Sequence, residues 1–189
     1  MKIYTKSGDK GETGLLGGVR VAKSHLAIRV CGALDETNSF LGLAACESLP
    51  QDVAEVLTQI QHDLFDLGSR VAGCLSETSR GADFPAERST GLERLIDRFE
   101  GELPPLTAFI LPSGSRPGCT LHLARSVCRR AERELVELSQ SEVAATLDNE
   151  LVYLNRLGDL LFVLARVVNR RCECPETEWN VGRQKDPGS

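Results

Sequence analysis

Val53, Leu57, Ile60, Leu64, Leu67, Val71 and Cys74 follow one another at alternating steps of four and three. That spacing returns an apolar side chain to one side of an α-helix at every step, and the seam it makes must be covered by another apolar surface. Three further stretches pose the same demand. Residues 24 to 47 carry Ala27, Val30, Leu34, Leu41 and Ala45, with small Gly32, Ala33, Gly42 and Ala44 among them. From Pro117 onward, Leu121, Ala124, Cys128, Ala131, Leu135 and Leu138 share a face, and Leu147, Leu151, Leu154, Leu161, Leu164 and Val168 make the last seam. A shorter helix is expected around residues 92 to 99. With no strong run of strands, the seams must cover each other, which predicts an all-α five-helix bundle of four long helices and one short, preceded by a Gly-rich N-terminal loop.

Turn formers crowd "SETSRGADFPAERSTG" (76 to 91) and "GELPPLTAFILPSGSRPG" (101 to 118), which read as loops. The 189 residues suit one domain over 1–172, and 173–189, with Pro175, Gly182 and Pro187 among polar residues, reads as a flexible tail. A net charge of -5 argues against a general nucleic-acid or membrane-surface binder, since both need a summed positive field. No stretch approaches the roughly 18 apolar residues of a membrane span, and no charged-then-apolar leader is visible, so the expected compartment is the cytoplasm. Seven cysteines read as reduced thiols there. Cys172-Glu173-Cys174 looks like a ligand pair, but no second pair or nearby histidine completes a site, so no metal ligand is expected.

Two segments carry the chemistry. "TKSGDKGETGLLGG" (5 to 18) is glycine-rich, and its backbone N–H groups can form a concave anion nest; Lys6, Lys10 and Lys23 add charge and Thr5, Ser7 and Thr13 add hydroxyls. It fits neither the Walker A pattern nor the dinucleotide fingerprint. A loose N-terminal arm is the competing reading. Arg125, Arg129 and Arg133, four apart, form a stripe whose like charges cost a helix roughly 0.2 to 0.5 kcal/mol per pair. Glu132 offsets part of this beside Arg129, and Glu134 can pair with Arg130. The stripe is either a solvated face or an anion site suited to the guanidinium fork. Together with the loop it favours a polyphosphate. Asp35, in an apolar helical stretch, either pairs with an arginine of a neighbouring helix or faces solvent beside Glu36. Asn155 either satisfies a backbone group or reaches a ligand.

In five ordered blocks, "IYTKSGDKGETGLLGG", "RVCGALDETNSFLG", "FILPSGS", "LHLARSVCRRAERELV" and "YLNRLGDLLFVLAR", the sequence resembles the ATP:cob(I)alamin adenosyltransferases of the PduO type over residues 3 to 171. The resemblance implies a homotrimer of five-helix bundles with active sites between subunits. It implies ATP and reduced cobalamin as substrates, with Mg²⁺ carried by ATP. The ATP loop would be Thr5, Lys6, Ser7 and Gly8, continuing to Thr13 and Gly14, with Lys23 as the phosphate-binding lysine. Arg129, Arg130, Glu132 and Arg133 match the ATP-contacting helix, and Asn155 the nucleotide-contacting asparagine. Asp35 and Arg125 match an intersubunit ion pair near the corrin, and Phe109 an aromatic at its lower face. Two positions depart from the family: Ser113 stands where a second glycine is usual, and Gly158 where serine is commoner.

The implied reaction moves the 5′-deoxyadenosyl group of ATP to cobalt and releases triphosphate. Cobalt(I) is itself the nucleophile, which accords with His25, His62 and His122 forming no plausible triad. Arg129, Asp35, Arg125 and Phe109 would then act by charge stabilisation and positioning. The implied partners are a cobalamin reductase and an adenosylcobalamin-dependent enzyme, with neither nucleic acid nor membrane. A non-catalytic, nucleotide-binding regulatory bundle is the alternative that the loop and arginines equally allow.

Overall fold

Each seam forms the helix its spacing predicts. The computed structural model describes residues 3–4, 6–76, 83–141 and 146–179, with five helices among them: α1 Leu26–Ala45, α2 Gln51–Gly73, α3 Ala86–Glu100, α4 Arg116–Ser139 and α5 Asp148–Arg171. Local chemistry sets the ends. His25 caps α1, its Nδ1 accepting the Ala27 N–H at 3.2 Å, and the Ser115 hydroxyl accepts the Gly118 N–H at the start of α4. α5 opens on Asp148 and Glu150 and closes on Arg170 and Arg171, charges that complement its dipole.

α3 is longer than the sequence suggests: it starts directly after Pro85, and residues 86–91, assigned above to a loop, form its first turns. Ser89, Thr90 and Gly91 look like breakers in one dimension. In the fold, however, Ser89 and Leu92 are buried, and that packing outweighs the residues' weak intrinsic preference.

The helices pack in the order α2, α1, α4, α5, α3, with α1 on α4 the most extensive pairing. Ala27, Ala33 and Ala44 on α1, with Ala124, Cys128 and Ala131 on α4, are all buried, and such small side chains let two backbones approach closely. The α2 seam, from Val53 to Val71, is entirely buried. Polar links close the circuit from α2 to α3 and α5. Buried Asp63 accepts from Tyr153 Oη (2.8 Å), Arg88 (3.0 Å) and Gln59 (3.1 Å). Buried Arg70 pairs with buried Glu150 at 3.1 Å. Asp52 accepts from Arg171 and Arg98. Carboxylates so placed are tolerable only because every one has a partner.

The N-terminal segment is more ordered than its glycines suggest. Strands β1 Glu12–Gly14 and β2 Arg20–Ala22 pair antiparallel, Thr13 opposite Val21. Gly17 and Gly18 turn the chain at φ +80° and +79°, a region that favours glycine. Leu15 is buried, its N–H bonded to Val19 O at 2.7 Å. The missing element was the pairing partner: residues 19–22 supply the ladder that 5–18 alone cannot.

Residues 173–179, assigned above to a tail, lie along the bundle. Cys174 N–H bonds to Asn169 O, Leu111 N–H to Thr177 O, and Trp179 N–H to Phe109 O at 2.6 Å. The tail beyond residue 179 lies outside the described residues. No helix among the described residues is long and apolar enough to cross a membrane.

Candidate functional site

The hairpin shapes the first half of the site. Lys23 N–H bonds to Gly11 O at 2.8 Å, and the loop returns so that the Lys23 Cε and Nζ lie 3.3 Å from where a Cβ on Gly8 would stand. A side chain at position 8 would press on the lysine tip and on Glu12 O, each 3.3 Å away, so glycine leaves the ammonium room to lie close over this backbone. Arg20 ties the same turn down, donating to Ser7 O at 3.0 Å and pairing with Glu12. Lys6 sits at φ +61°, a strained position for a residue with a side chain, costing of order 1 kcal/mol. Lys6, Ser7, Gly8, Thr13, Gly14 and Lys23 thus occupy one turn-and-hairpin unit, exposed or half-buried throughout. Thr5 lies outside the described residues.

The second half lies on α4 and α5. Arg129 is exposed, and its aliphatic stem crosses α5 at Gly158, where a Cβ would meet Arg129 Cγ at 3.6 Å. That is ordinary contact, so a serine would fit at this position. No carboxylate lies within ion-pair distance of Arg129 among the described residues. Arg133, also exposed, donates to Arg129 O.

The neighbours are differently engaged. Arg130 pairs with Glu36 of α1 rather than with Glu134, which takes Arg29 instead. Glu132 accepts from Asn155 Nδ2 at 2.9 Å, and Asn155 Oδ1 accepts from Arg156, which pairs with Glu93 of α3. Asn155 therefore serves a side-chain relay joining α4, α5 and α3, and not a backbone group. Cys128, on the buried side of this helix, has its thiol pushed up to about 12 by burial and then by Glu132. It is no nucleophile at neutral pH.

A groove of about 750 Å³ opens between α3 and α5, lined among others by Phe109, Arg125, Arg156, Asp159 and Phe162. Arg125 stands over the Phe162 ring at 5.4 Å. Phe109 reaches into water, 79% exposed, on the loop before α4. That loop is held by Asn169, fully buried near the end of α5. Its Oδ1 accepts the Ser115 N–H and hydroxyl, both at 2.8 Å, and its Nδ2 donates to Ser113 O at 2.9 Å. Gly114, at φ +116°, and Gly118 both lack the Cβ that would collide with this amide. The grip on Ser113 uses its carbonyl and so does not depend on the side chain, whose hydroxyl donates separately to Leu111 O at 3.3 Å.

His122, buried beneath Arg125 with its ring edge-on to Phe162, is held neutral: burial and then the Arg125 charge lower its pKa. Asn169, Phe162, Arg156 and Asp159 were not among the sequence candidates. The one legible hint was that Asn169, Arg156 and Asp159 are polar residues in an apolar helix.

Asp35 is exposed on α1 and faces a different, smaller groove of about 270 Å³ beside Leu16 and Phe65. Within one chain it does not meet Arg125. Nor does any hydrogen bond or ion pair among the described residues join the hairpin to Arg129 or Arg133. Each half is well formed, and one chain does not bring them together.

This arrangement can be set against known proteins. The family profile described as cobalamin adenosyltransferase matches residues 3–168. A cobalamin adenosyltransferase of Cupriavidus metallidurans is 45% identical, the match covering 97% of this chain and 96% of that one. A corrinoid adenosyltransferase of Bacillus subtilis is 44% identical over 95% and 92% of the two chains. Among solved structures, a phenylalanine-to-histidine variant of the PduO-type ATP:corrinoid adenosyltransferase from Lactobacillus reuteri, complexed with cobalamin and ATP, superposes with a TM-score of 0.88. It is 33% identical, over 94% of this chain and 96% of that one. The helical bundle is thus the fold of a PduO-type adenosyltransferase, and the chain belongs to the cobalamin adenosyltransferase family.

Proposed function

We propose that this protein is an ATP:corrinoid adenosyltransferase, moving the 5′-deoxyadenosyl group of ATP to the reduced cobalt of a corrinoid such as cobalamin. The observation that carries the reading is the pairing of two anion-binding features, the Lys23-capped glycine loop and the uncommitted Arg129, with a separate groove walled by Phe109 and Arg125. Such a pair suits two substrates of different chemistry. A regulatory nucleotide binder has no use for the groove.

In the reaction, the cobalt(I) electron pair forms the Co–C5′ bond while the C5′–O bond breaks, and that bonding pair leaves with triphosphate. The chain supplies no nucleophile and needs none. Loop N–H groups, Lys6, Lys23, Arg129 and Arg133 hold and neutralise the departing phosphates, a stabilisation that grows as the bond breaks. Asn155, Glu132 and Arg130 keep the α4 face in register. Among the described residues no three His, Cys, Asp or Glu side chains group to hold a metal ion. Mg²⁺ would enter bound to the phosphates of ATP and share in neutralising them. Phe109 walls the lower corrin face, keeping water and the lower axial ligand away from cobalt.

Because one chain leaves the two phosphate-binding halves apart, we assign the complete site to adjacent copies of a homotrimer, with Asp35 meeting Arg125 across the interface. A cobalamin reductase upstream and an adenosylcobalamin-dependent enzyme downstream are the partners this chemistry calls for. The decisive experiment incubates the protein with ATP, Mg²⁺ and chemically reduced cobalamin and follows conversion to adenosylcobalamin by absorbance. ATP binding without any corrin-dependent spectral change would establish the regulatory alternative instead.

A further inference from the structure

We propose that residues 174–179 form a strap that sets the position of Phe109, with Trp179 and Glu176 as its positioning residues. The inference rests on Phe109 being a wall of the corrin site. An aromatic side chain that stands 79% exposed has no packing of its own to fix it, and its loop has no helix or strand to stiffen it. What fixes it is the strap. Trp179 N–H donates to the carbonyl of Phe109 itself, Leu111 N–H donates to Thr177 O, and Ile110 and Glu178 bridge antiparallel between them. The two rings meet edge to face, centroids 6.2 Å apart at 69°, a favoured aromatic geometry.

The strap is in turn anchored to the core. Arg166 of α5 is 3% exposed, and it donates to both carboxylate oxygens of Glu176 at 2.8 and 3.3 Å and to Pro104 O at 3.1 Å. One buried guanidinium thus ties the base of the Phe109 loop and the strap to the same point. A buried guanidinium is tolerable only when paired, so Glu176 is held firmly. At the other end, Asn169 grips Ser113 and Ser115. Phe109 is therefore suspended between two core anchors, and Trp179 decides where along that span its ring points.

The test uses the full chain with ATP and Mg²⁺. Adenosylation is assayed from cob(II)alamin with a reductant and from chemically pre-reduced cob(I)alamin, and electron paramagnetic resonance reports lower-ligand displacement in bound cob(II)alamin. Trp179→Ala is expected to slow the cob(II)alamin assay by about tenfold or more, as small misplacements do. The lower-ligand nitrogen splitting should persist in the spectrum, while the ATP KM and the cob(I)alamin rate stay within about twofold, the range left by surface changes remote from bound ATP. Trp179→Phe should restore most of the rate.

Equal loss in both assays, or a raised ATP KM, overturns the proposal. Phe109→Ala separates it from the reading beneath it. If that variant is slow from cob(II)alamin and Trp179→Ala is not, the strap inference alone fails; if Phe109→Ala is itself unaffected, both fail. Trp179 is the protein's single tryptophan, so its fluorescence gives a second readout: Phe109→Ala should shift its emission, and an unchanged spectrum counts against the ring contact.

Discussion

Asn169 and Gly118 should be strongly coupled, and a double-mutant cycle can show it. Asn169→Ala removes the partner of two backbone groups, Ser115 N–H and Ser113 C=O. At about 1–2 kcal/mol for each polar group left unpaired in this half-buried loop, the loss is about 2–4 kcal/mol. Gly118→Ala alone should cost nearly as much, because its Cβ would overlap Asn169 Oδ1 and lie 2.8 Å from Cγ. The amide must swing away and lose the same bonds. Helix propensity returns at most about 1 kcal/mol of that.

In the double variant no amide remains to displace. With the amide gone, the remaining near contact is the Ser115 hydroxyl at 3.0 Å, which can turn aside, and the second substitution should cost about nothing. The expected coupling is therefore about 2 kcal/mol, well above the few tenths seen at independent sites. Urea unfolding of the four proteins, at matched m-values, measures it. Penalties that add within about 0.5 kcal/mol would refute the account of how this loop is held.

Arg129→Ala should raise the ATP KM or abolish turnover while shifting stability by less than about 0.5 kcal/mol, since the side chain is exposed and unpaired; steady-state kinetics beside thermal unfolding checks both halves. Gly158→Ser should leave kcat/KM within about threefold, because a Cβ there meets Arg129 only at van der Waals distance. Hydrogen bonds from Arg171, outweighing the opposing effect of burial, hold the Asp52 carboxyl below its usual range. A lowered folded pKa gives stabilisation that is present above the unfolded value near 4 and is lost as pH falls through the folded value. Asp52→Asn should thus cost up to about 1 kcal/mol at pH 5–7, with the gap closing toward acid; a gap that widens in acid contradicts the pairing. Tryptic cleavage at Lys6 and Lys10 should slow when ATP is added, and equal cleavage with and without ATP would remove the phosphate role of the hairpin.

The four long helices were legible because their seams repeat over many turns, so chance interruptions do not hide them. Three features were not, for separate reasons. The hairpin is too short for a period, and Thr13 becomes a strand residue only because Val21 lies opposite. The first turns of α3 are written in Ser, Thr and Gly, whose weak preferences yield once Ser89 and Leu92 are covered. Residues 174–179, with Pro175 and two glutamates, look like a tail, yet their partners, Asn169 and Arg166, sit sixty or so positions beyond the loop they also hold, a pairing no local pattern encodes. Site residues fared similarly. Lys23, Arg129 and Phe109 are legible as types in a motif, whereas Asn169 looks like any polar residue near a helix end until its three hydrogen bonds are seen.

The two long walls of the groove are unequally stiff. The α5 wall, with Phe162 and Val163, belongs to the helix whose residues from Val163 to Asn169 are all buried. The α3 wall, with Glu93, Ile96 and Asp97, belongs to a helix tied to α2 through Arg88–Asp63, Arg88–Asp66 and Arg98–Asp52, the last two partly in water. Solvent-exposed pairs of this kind are weakened by added salt, whereas apolar packing is not. Buried Leu92 and Phe99 also seat α3 on the core, so the two walls share apolar packing. Salt bears on the α3 wall alone, and the face that carries Phe162 is indifferent to it.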